Sequence, residues 1–332
     1  MLVLGIETSC DETALALVEN GRLILANEVA SSLRLHKKYG GVVPEIATRS
    51  HVEWINLVLD QALEKSRVSL KEIDLISVVY GPGLVGALLI GLSLAKSLSL
   101  ALNKPLVGVN HLQAHLYAPL LSLSKNVFPF VGLVVSGGHT NLFYVRDFLR
   151  WESLGRTRDD AAGEAFDKVA KLLNLGYPGG AIIEKMARQG QPDKIKFPRA
   201  YLEEDSLDFS FSGLKTSVLH YLRDSELRTP NSELNNIAAG FQEAVVDILS
   251  AKAIAACRLK GARNFVLGGG VARNKRLREA LTQAFHNYNI KLYFPPLDLC
   301  QDNAAMTAGL GYHLYQSGLR GDLNLEVQPN LI

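Results

Sequence analysis

The stretch Ile73–His111, IDLISVVYGPGLVGALLIGLSLAKSLSLALNKPLVGVNH, decides the fold. It opens on an apolar run rich in β-branched residues, turns through Gly-Pro-Gly, continues as an apolar segment of helical length, and ends on a second short apolar run, PLVGVN. That succession is strand, glycine loop, helix, strand. It recurs at Ala262–Asp302, ARNFVLGGGVARNKRLREALTQAFHNYNIKLYFPPLDLCQD. A hairpin precedes each copy. The first combines LVLGIETS with TALALVENGRLILANEVAS, whose Asn20-Gly21 pair is a strong hairpin-turn signal. The second lies in FPFVGLVVSGGHTNLFYVRDF, Phe128–Phe148. One hairpin and one strand–loop–helix–strand unit in each half indicate an internal duplication.

The expected architecture is therefore α/β, with two similar lobes facing each other across a central cleft and ligands gathered beyond the carboxyl ends of the strands. A chain of 332 residues also exceeds the usual reach of one core. The expected first lobe spans 1–125 and is completed by 308–332, and the second spans 126–307. Helical periodicity is expected over Asp160–Leu173 and Asn235–Leu259, with Ala200–Ser217 as an irregular insertion in the second lobe.

Composition narrows the function classes. A hydrophobic share of 48% with 20% charged residues supplies ample core and argues against disorder. Three cysteines without CxxC spacing predict a reducing compartment, hence the cytoplasm, and no disulfide framework. The start, MLVLGIETSCDET, lacks a basic segment, and its acids break any apolar run, which argues against a signal peptide. Only 84–102 approaches membrane-span length; Lys96 and several serines interrupt it, so it reads as a buried helix and no membrane partner is expected. The net charge of +2 neither demands nor excludes nucleic acid.

His111 and His115 stand four apart in HLQAH, which on a helix places both imidazoles on one face, either as metal ligands or as a polar stripe. The duplication supplies a partner. The segment LDLCQDN, 297–303, occupies the corresponding position in the second copy, so Asp302, or failing it Asp298, offers a carboxylate. Two histidines and one carboxylate suit iron(II) or zinc. A metalloprotease would need HExxH, and Leu112-Gln113-Ala114 contains no acid.

Ser136-Gly137-Gly138-His139-Thr140 is either an anion-binding turn or an ordinary one, while Gly268-Gly269-Gly270 before a helix favours a ligand. Neither loop continues as GK[ST], which argues against a P-loop. Asp160, Glu164 and Asp167 form an acidic helical stripe, solvated or facing a ligand with the loop Gly176-Tyr177-Pro178-Gly179-Gly180. Two basic groups, Arg34, Lys37 and Lys38, and Arg273, Lys275, Arg276 and Arg278, are either solvated or directed at phosphates.

Eight collinear motifs, GIETSCDET (5–13), NHLQAH (110–115), VVSGGHT (134–140), GEAFDKVA (163–170), GYPGG (176–180), FSFSGLKT (209–216), GGGVARN (268–274) and CQDNAAM (300–306), resemble the bacterial tRNA N6-adenosine threonylcarbamoyltransferase family, TsaD, formerly described as glycoprotease. The resemblance implies the actin, sugar-kinase and Hsp70-like (ASKHA) fold. It implies transfer of threonylcarbamoyl from threonylcarbamoyl-AMP to N6 of adenosine 37 in tRNAs reading ANN codons. Carried over by position, the metal ligands are His111, His115 and Asp302, holding one divalent ion, iron(II) ahead of zinc. The substrate-binding residues are Val134, Val135, Ser136, Gly137, Gly138, Asp167, Gly180 and Asn274. The resemblance further implies a smaller paralogous subunit in a heterodimer and a P-loop ATPase as partners. A general base is not evident; Asp11 and Glu12 are the residues to test. An ASKHA-type small-molecule kinase and a nucleotide-binding scaffold are the other readings.

Overall fold

The computed structural model describes residues 1–200, 205–224 and 231–331. Residues 201–204 of the expected insertion lie outside the described residues. Two compact units are present, Met1–Asn126 with Asp147–Arg150 and Pro295–Ile332, and Val127–Arg146 with Trp151–Phe294.

In the first unit β1 (Leu2–Glu7), β2 (Glu12–Glu19) and β3 (Leu23–Ser31) form an antiparallel meander. Asn20 and Gly21 turn β2 into β3 with φ of 49° and 74°, the two left-handed residues that a type I′ hairpin requires. A single helical turn α1 (Leu33–His36) leads to α2 (Pro44–Ser66), which buries Ala47, His51, Ile55, Val58, Leu59 and Ala62 along one face. Then follow β4 (Leu75–Gly81), α3 (Val85–Leu102), β5 (Leu106–Asn110) and α4 (His111–Tyr117). The sheet order is β3-β2-β1-β4-β5, with β1, β4 and β5 parallel. Leu4 and Ile6 pair with Leu17 and Leu15, and all four are fully buried. Each contributes about 1.5–3 kcal/mol by leaving water.

The helix α3 corrects one expectation. It buries Ala87, Leu88, Gly91, Leu92 and Ala95, 28% of its length, while Val85, Leu89 and Leu100 are exposed. One face packs on the sheet rather than the whole helix being buried. By length and composition alone it is apolar enough to cross a membrane.

The second unit repeats the plan. β6 (Phe130–Val135), β7 (Thr140–Val145) and β8 (Trp151–Arg156) form the meander. The helices α5 (Ala162–Leu172), α6 (Gly179–Ala187), α7 (Ser212–Asp224) and α8 (Asn231–Lys260) intervene. Then come β9 (Asn264–Gly268), α9 (Lys275–His286) and β10 (Lys291–Tyr293). The order β10-β9-β6-β7-β8, with β6, β9 and β10 parallel, is the first sheet's order strand for strand. Here too the structure departs from the expected insertion: residues from Ser212 onward are helical, because Asp159 accepts hydrogen bonds from the Phe211 and Ser212 N–H groups at 2.8 and 3.2 Å and from the Ser212 hydroxyl at 2.7 Å, tying down the start of α7.

After β10 the chain rejoins the first unit as α10 (Ala304–Gln316), which packs on β1, β2 and β4. Gly5 permits that approach, since a Cβ there would lie 2.3 Å from the Ala304 carbonyl oxygen.

Candidate metal centre and glycine loops

The Asn110 side chain ends β5 and starts α4. Its carboxamide oxygen accepts from the Leu112 and Gln113 N–H groups at 2.8 and 3.2 Å, so the helix begins at His111 and both histidines share its inward face. A second asparagine does the same work where the chain returns. Asn303 Oδ1 caps α10 through the Met306 N–H at 3.1 Å, and its Nδ2 donates to the Leu299 and Gln301 carbonyls at 3.2 and 2.8 Å. That places Asp302 beside the histidines, and one donor atom from each of His111, His115 and Asp302 lies within 4.8 Å of the others. Asp302 Oδ1 is 3.0 Å from His115 Nε2 and 3.8 Å from His111 Nε2.

Glu7, at the end of β1, is a site residue that the motif reading passed over. Its Oε2 is 3.0 Å from His111 Nδ1, and its Oε1 accepts the Ser9 N–H at 2.7 Å. Ser9 Oγ is 3.1 Å from the same Nδ1. The carboxylate draws the His111 proton to Nδ1 and leaves Nε2 as the donor atom directed at the trio, the usual outer support of a metal-binding imidazole. A carboxylate sealed at a strand end two residues before a serine was the available signal.

A cation fits this arrangement on two observations. Among the described residues both ring nitrogens of the buried His115 lack a hydrogen-bond partner, although Nε2 is close to Asp302, so the ring has a lone pair with no N–H or O–H donor directed at it. Burial alone would push the His111 imidazole down, yet the Glu7 and Asp302 carboxylates outweigh it and raise the group to about 9. One buried and one half-buried carboxylate at two imidazoles call for positive charge.

Asp11 and Glu12 lie at the start of β2. Burial, then the Asp11 and Asp302 charges, pushes the Glu12 carboxyl well above the usual carboxylate range, while Ser31 Oγ donates to it at 3.1 Å. The neighbouring Cys10 thiol is raised by burial and by the same acids.

In the second unit, Val134 and Val135 end β6, and Ser136–His139 form a turn closed by the Ser136 N–H to the His139 carbonyl at 2.8 Å. Gly137 and Gly138 are exposed, with open space where a Cβ would stand. Asp167 accepts the Gly179 N–H at 2.6 Å, which fixes the start of α6. The segment 176–180 is thus not wholly a loop: Gly179 and Gly180 open a helix. Asn274 caps α9 through the Leu277 N–H at 2.9 Å and donates to Gln242 at 2.8 Å. Gly269, at φ 91°, passes so close to β6 that a Cβ would meet the Val135 carbonyl at 2.3 Å, whereas Gly270 is open. The acidic stripe is partly neutralised, since Lys168 reaches Asp160 and Glu164 at 2.5 and 2.9 Å. Asp298 lies in a single 3-10 turn and does not join the trio.

Comparison with known proteins follows the same lines. Residues 23–309 match the family model described as tRNA N6-adenosine threonylcarbamoyltransferase. A protein of that description from Clostridioides difficile (strain 630) is 51% identical over 331 residues, covering 100% of this chain and 98% of its own length. Its counterpart from Symbiobacterium thermophilum is 53% identical, covering 99% and 96%. Among solved structures, T. kodakarensis HypF aligns with a TM-score of 0.65 at 18% identity over 96% of this chain and 48% of its own. The (R)-2-hydroxyglutaryl-CoA dehydratase component A of Acidaminococcus fermentans aligns with a TM-score of 0.56 at 14% identity, covering 94% and 98%. These structures share the duplicated ASKHA-type fold.

Proposed function

Because the chain belongs to the tRNA N6-adenosine threonylcarbamoyltransferase family, we propose that it moves a threonylcarbamoyl group from threonylcarbamoyl-AMP to N6 of adenosine 37 in tRNAs reading ANN codons, with His111, His115 and Asp302 holding one divalent metal. The convergence of two imidazoles and a carboxylate within 4.8 Å, with His115 otherwise unpartnered, carries the metal part of this reading. The donor set suits iron(II) first and zinc second. No observation favours a small-molecule kinase, and the full-length relatives bear the transferase description.

The adenine amine is a weak nucleophile because its lone pair is delocalised into the ring. The acyl donor must therefore be activated and held. Threonylcarbamoyl-AMP is a mixed anhydride with AMP as a good leaving group. The open N–H groups around Gly137 and Gly138 suit its phosphate, and preorganised backbone donors of this kind stabilise charge as it develops. Gly180 leaves room beside Asp167 for the nucleoside, and Asn274 keeps the Gly268-Gly269-Gly270 loop in register by capping α9. A bound divalent ion supplies Lewis-acid polarisation and charge neutralisation. Glu7 holds His111 in the orientation and tautomer that ligation requires. Asp11 and Glu12 are the candidates for receiving the amine proton. The working assembly includes a smaller paralogous subunit and a P-loop ATPase.

The test is elemental analysis of the purified protein beside a variant with His111, His115 and Asp302 all changed to alanine, followed by a transfer assay with supplied threonylcarbamoyl-AMP and unmodified tRNA. About one iron or zinc per parent chain, none in the folded variant, and product only from the parent are expected. Equal activity in both would remove the metal from the reaction.

A further inference from the structure

Arg34, Lys37 and Lys38 are exposed, and none has a carboxylate partner among the described residues. Over 33–49 the only acid is Glu45. With Leu35 and Ile46 the three cations line a cavity of about 600 Å³. Tyr39 stands beside it, 51% exposed, with Lys38 Nζ 4.8 Å from its ring centroid. The second basic group is differently placed: Arg276 is spent on Glu243, and Arg278 donates to the Ala272 carbonyl at 2.5 Å.

The segment carrying these cations is held from within. Ser32 Oγ donates to the Asp11 carbonyl at 2.9 Å, so it must accept from His36 Nε2–H, also at 2.9 Å. That leaves His36 Nδ1 to accept the Val43 N–H at 3.2 Å. His36 is fully buried and spans the segment from its first turn to the entry of α2. It also connects the cations to the candidate centre, since Asp11 follows Ser9 by two residues and Ser9 Oγ touches His111. The basic segment and the trio therefore share one end of the first sheet, at the carboxyl ends of β1, β3 and β5.

We propose that Arg34, Lys37, Lys38 and Tyr39, fixed by His36, form the surface on which the tRNA backbone docks beside the candidate centre, with the Tyr39 ring offered to an unpaired base. This rests on the transferase reading. Unopposed cations around a concave surface match a phosphate chain, and an exposed aromatic among them matches single-stranded RNA, whose bases stack on such rings.

The test is binding of an unmodified tRNA transcript with an ANN-reading anticodon to the full chain across a salt series. The Lys37→Gln/Lys38→Gln double variant, Tyr39→Ala and, as control, Lys71→Gln are compared, with circular dichroism confirming each fold. Loss of two phosphate contacts lowers the slope of log affinity against log salt by about 1.4–1.8. Tyr39→Ala weakens binding about fivefold or more with the slope unchanged, because a ring carries no counterions. Lys71→Gln matches the parent. A double variant with the parent's slope overturns the docking surface and leaves it to an acidic protein, even where the parent makes product normally. A parent that neither binds tRNA nor makes product even when its partner subunits and threonylcarbamoyl-AMP are supplied brings down the transferase reading as well.

Discussion

Glu7 Oε2 and His111 Nδ1 lie 3.0 Å apart in the buried end of the first sheet, so one carboxylate sets which nitrogen of the histidine faces Asp302. Glu7→Gln keeps the shape but weakens the hold on the ring and allows either tautomer. Metal affinity is expected to fall about 10- to 100-fold, measured by competition with a chromophoric chelator. Unchanged affinity would show that the ring is oriented without the carboxylate.

Asn110→Ala removes the cap that starts α4 between β5 and His111. The expected cost is about 0.5–2 kcal/mol in denaturant unfolding. Asn110→Asp retains a capping oxygen and should recover most of it. Metal retention should follow the same order, since the cap fixes where the histidine face begins.

His313 supplies a pH response away from the candidate centre. Its ring stacks on Phe148 with centroids 4.3 Å apart, and its Nε2 is buried without a hydrogen-bond partner among the described residues. Burial, then the nearby Arg22 charge, holds it down at about 4 against an ordinary 6.5. Between those values the unfolded chain binds a proton that the folded chain refuses, so stability falls as pH is lowered through this window and the loss levels off below about 4. Allowing for its partial exposure, the loss is about 1–2 kcal/mol. Urea titrations at several pH values should show His313→Phe losing that share of the pH dependence; identical curves would assign it to other groups.

Gly269→Ala forces a side chain into a left-handed position against the Val135 carbonyl. A destabilisation of about 1–3 kcal/mol is expected from the backbone alone. Gly270→Ala, next to open space, should be milder in the fold. If the Gly268-Gly269-Gly270 loop receives the donor, Gly270→Ala should still raise the KM for threonylcarbamoyl-AMP.

The duplication was legible because its signals are local: Asn20-Gly21 in the first hairpin, and a glycine loop between an apolar strand and a helix in each half. The juxtaposition of Asp302 with the two histidines was legible from the matching places of their segments in the two copies, although Pro295–Ile332 belongs to the first unit, with the histidines. Other features depended on tertiary context. The buried face of α2, including Ala47, Ile55, Val58 and Ala62, is diluted in sequence by exposed acids and bases on its other face. In β8 the residues Trp151–Leu154 are only half-buried or exposed, so alternation is weak there. Gly179 and Gly180 read as loop because glycine disfavours helix, yet the Asp167 carboxylate compensates by accepting the first free N–H. Glu7 stood out only as an acid interrupting the first apolar run, and its distance from His111 gives it a role.

The return of the chain through α10 also sets an order of assembly. His111 and His115 leave the ribosome with the first sheet, whereas Asp302 follows every strand of the second. During synthesis the first half can fold around Leu4, Ile6, Leu15 and Leu17 while its histidines wait for their carboxylate. The candidate centre is thereby complete only near the end of translation, and a nascent or truncated chain lacking 295–332 carries both imidazoles without their carboxylate.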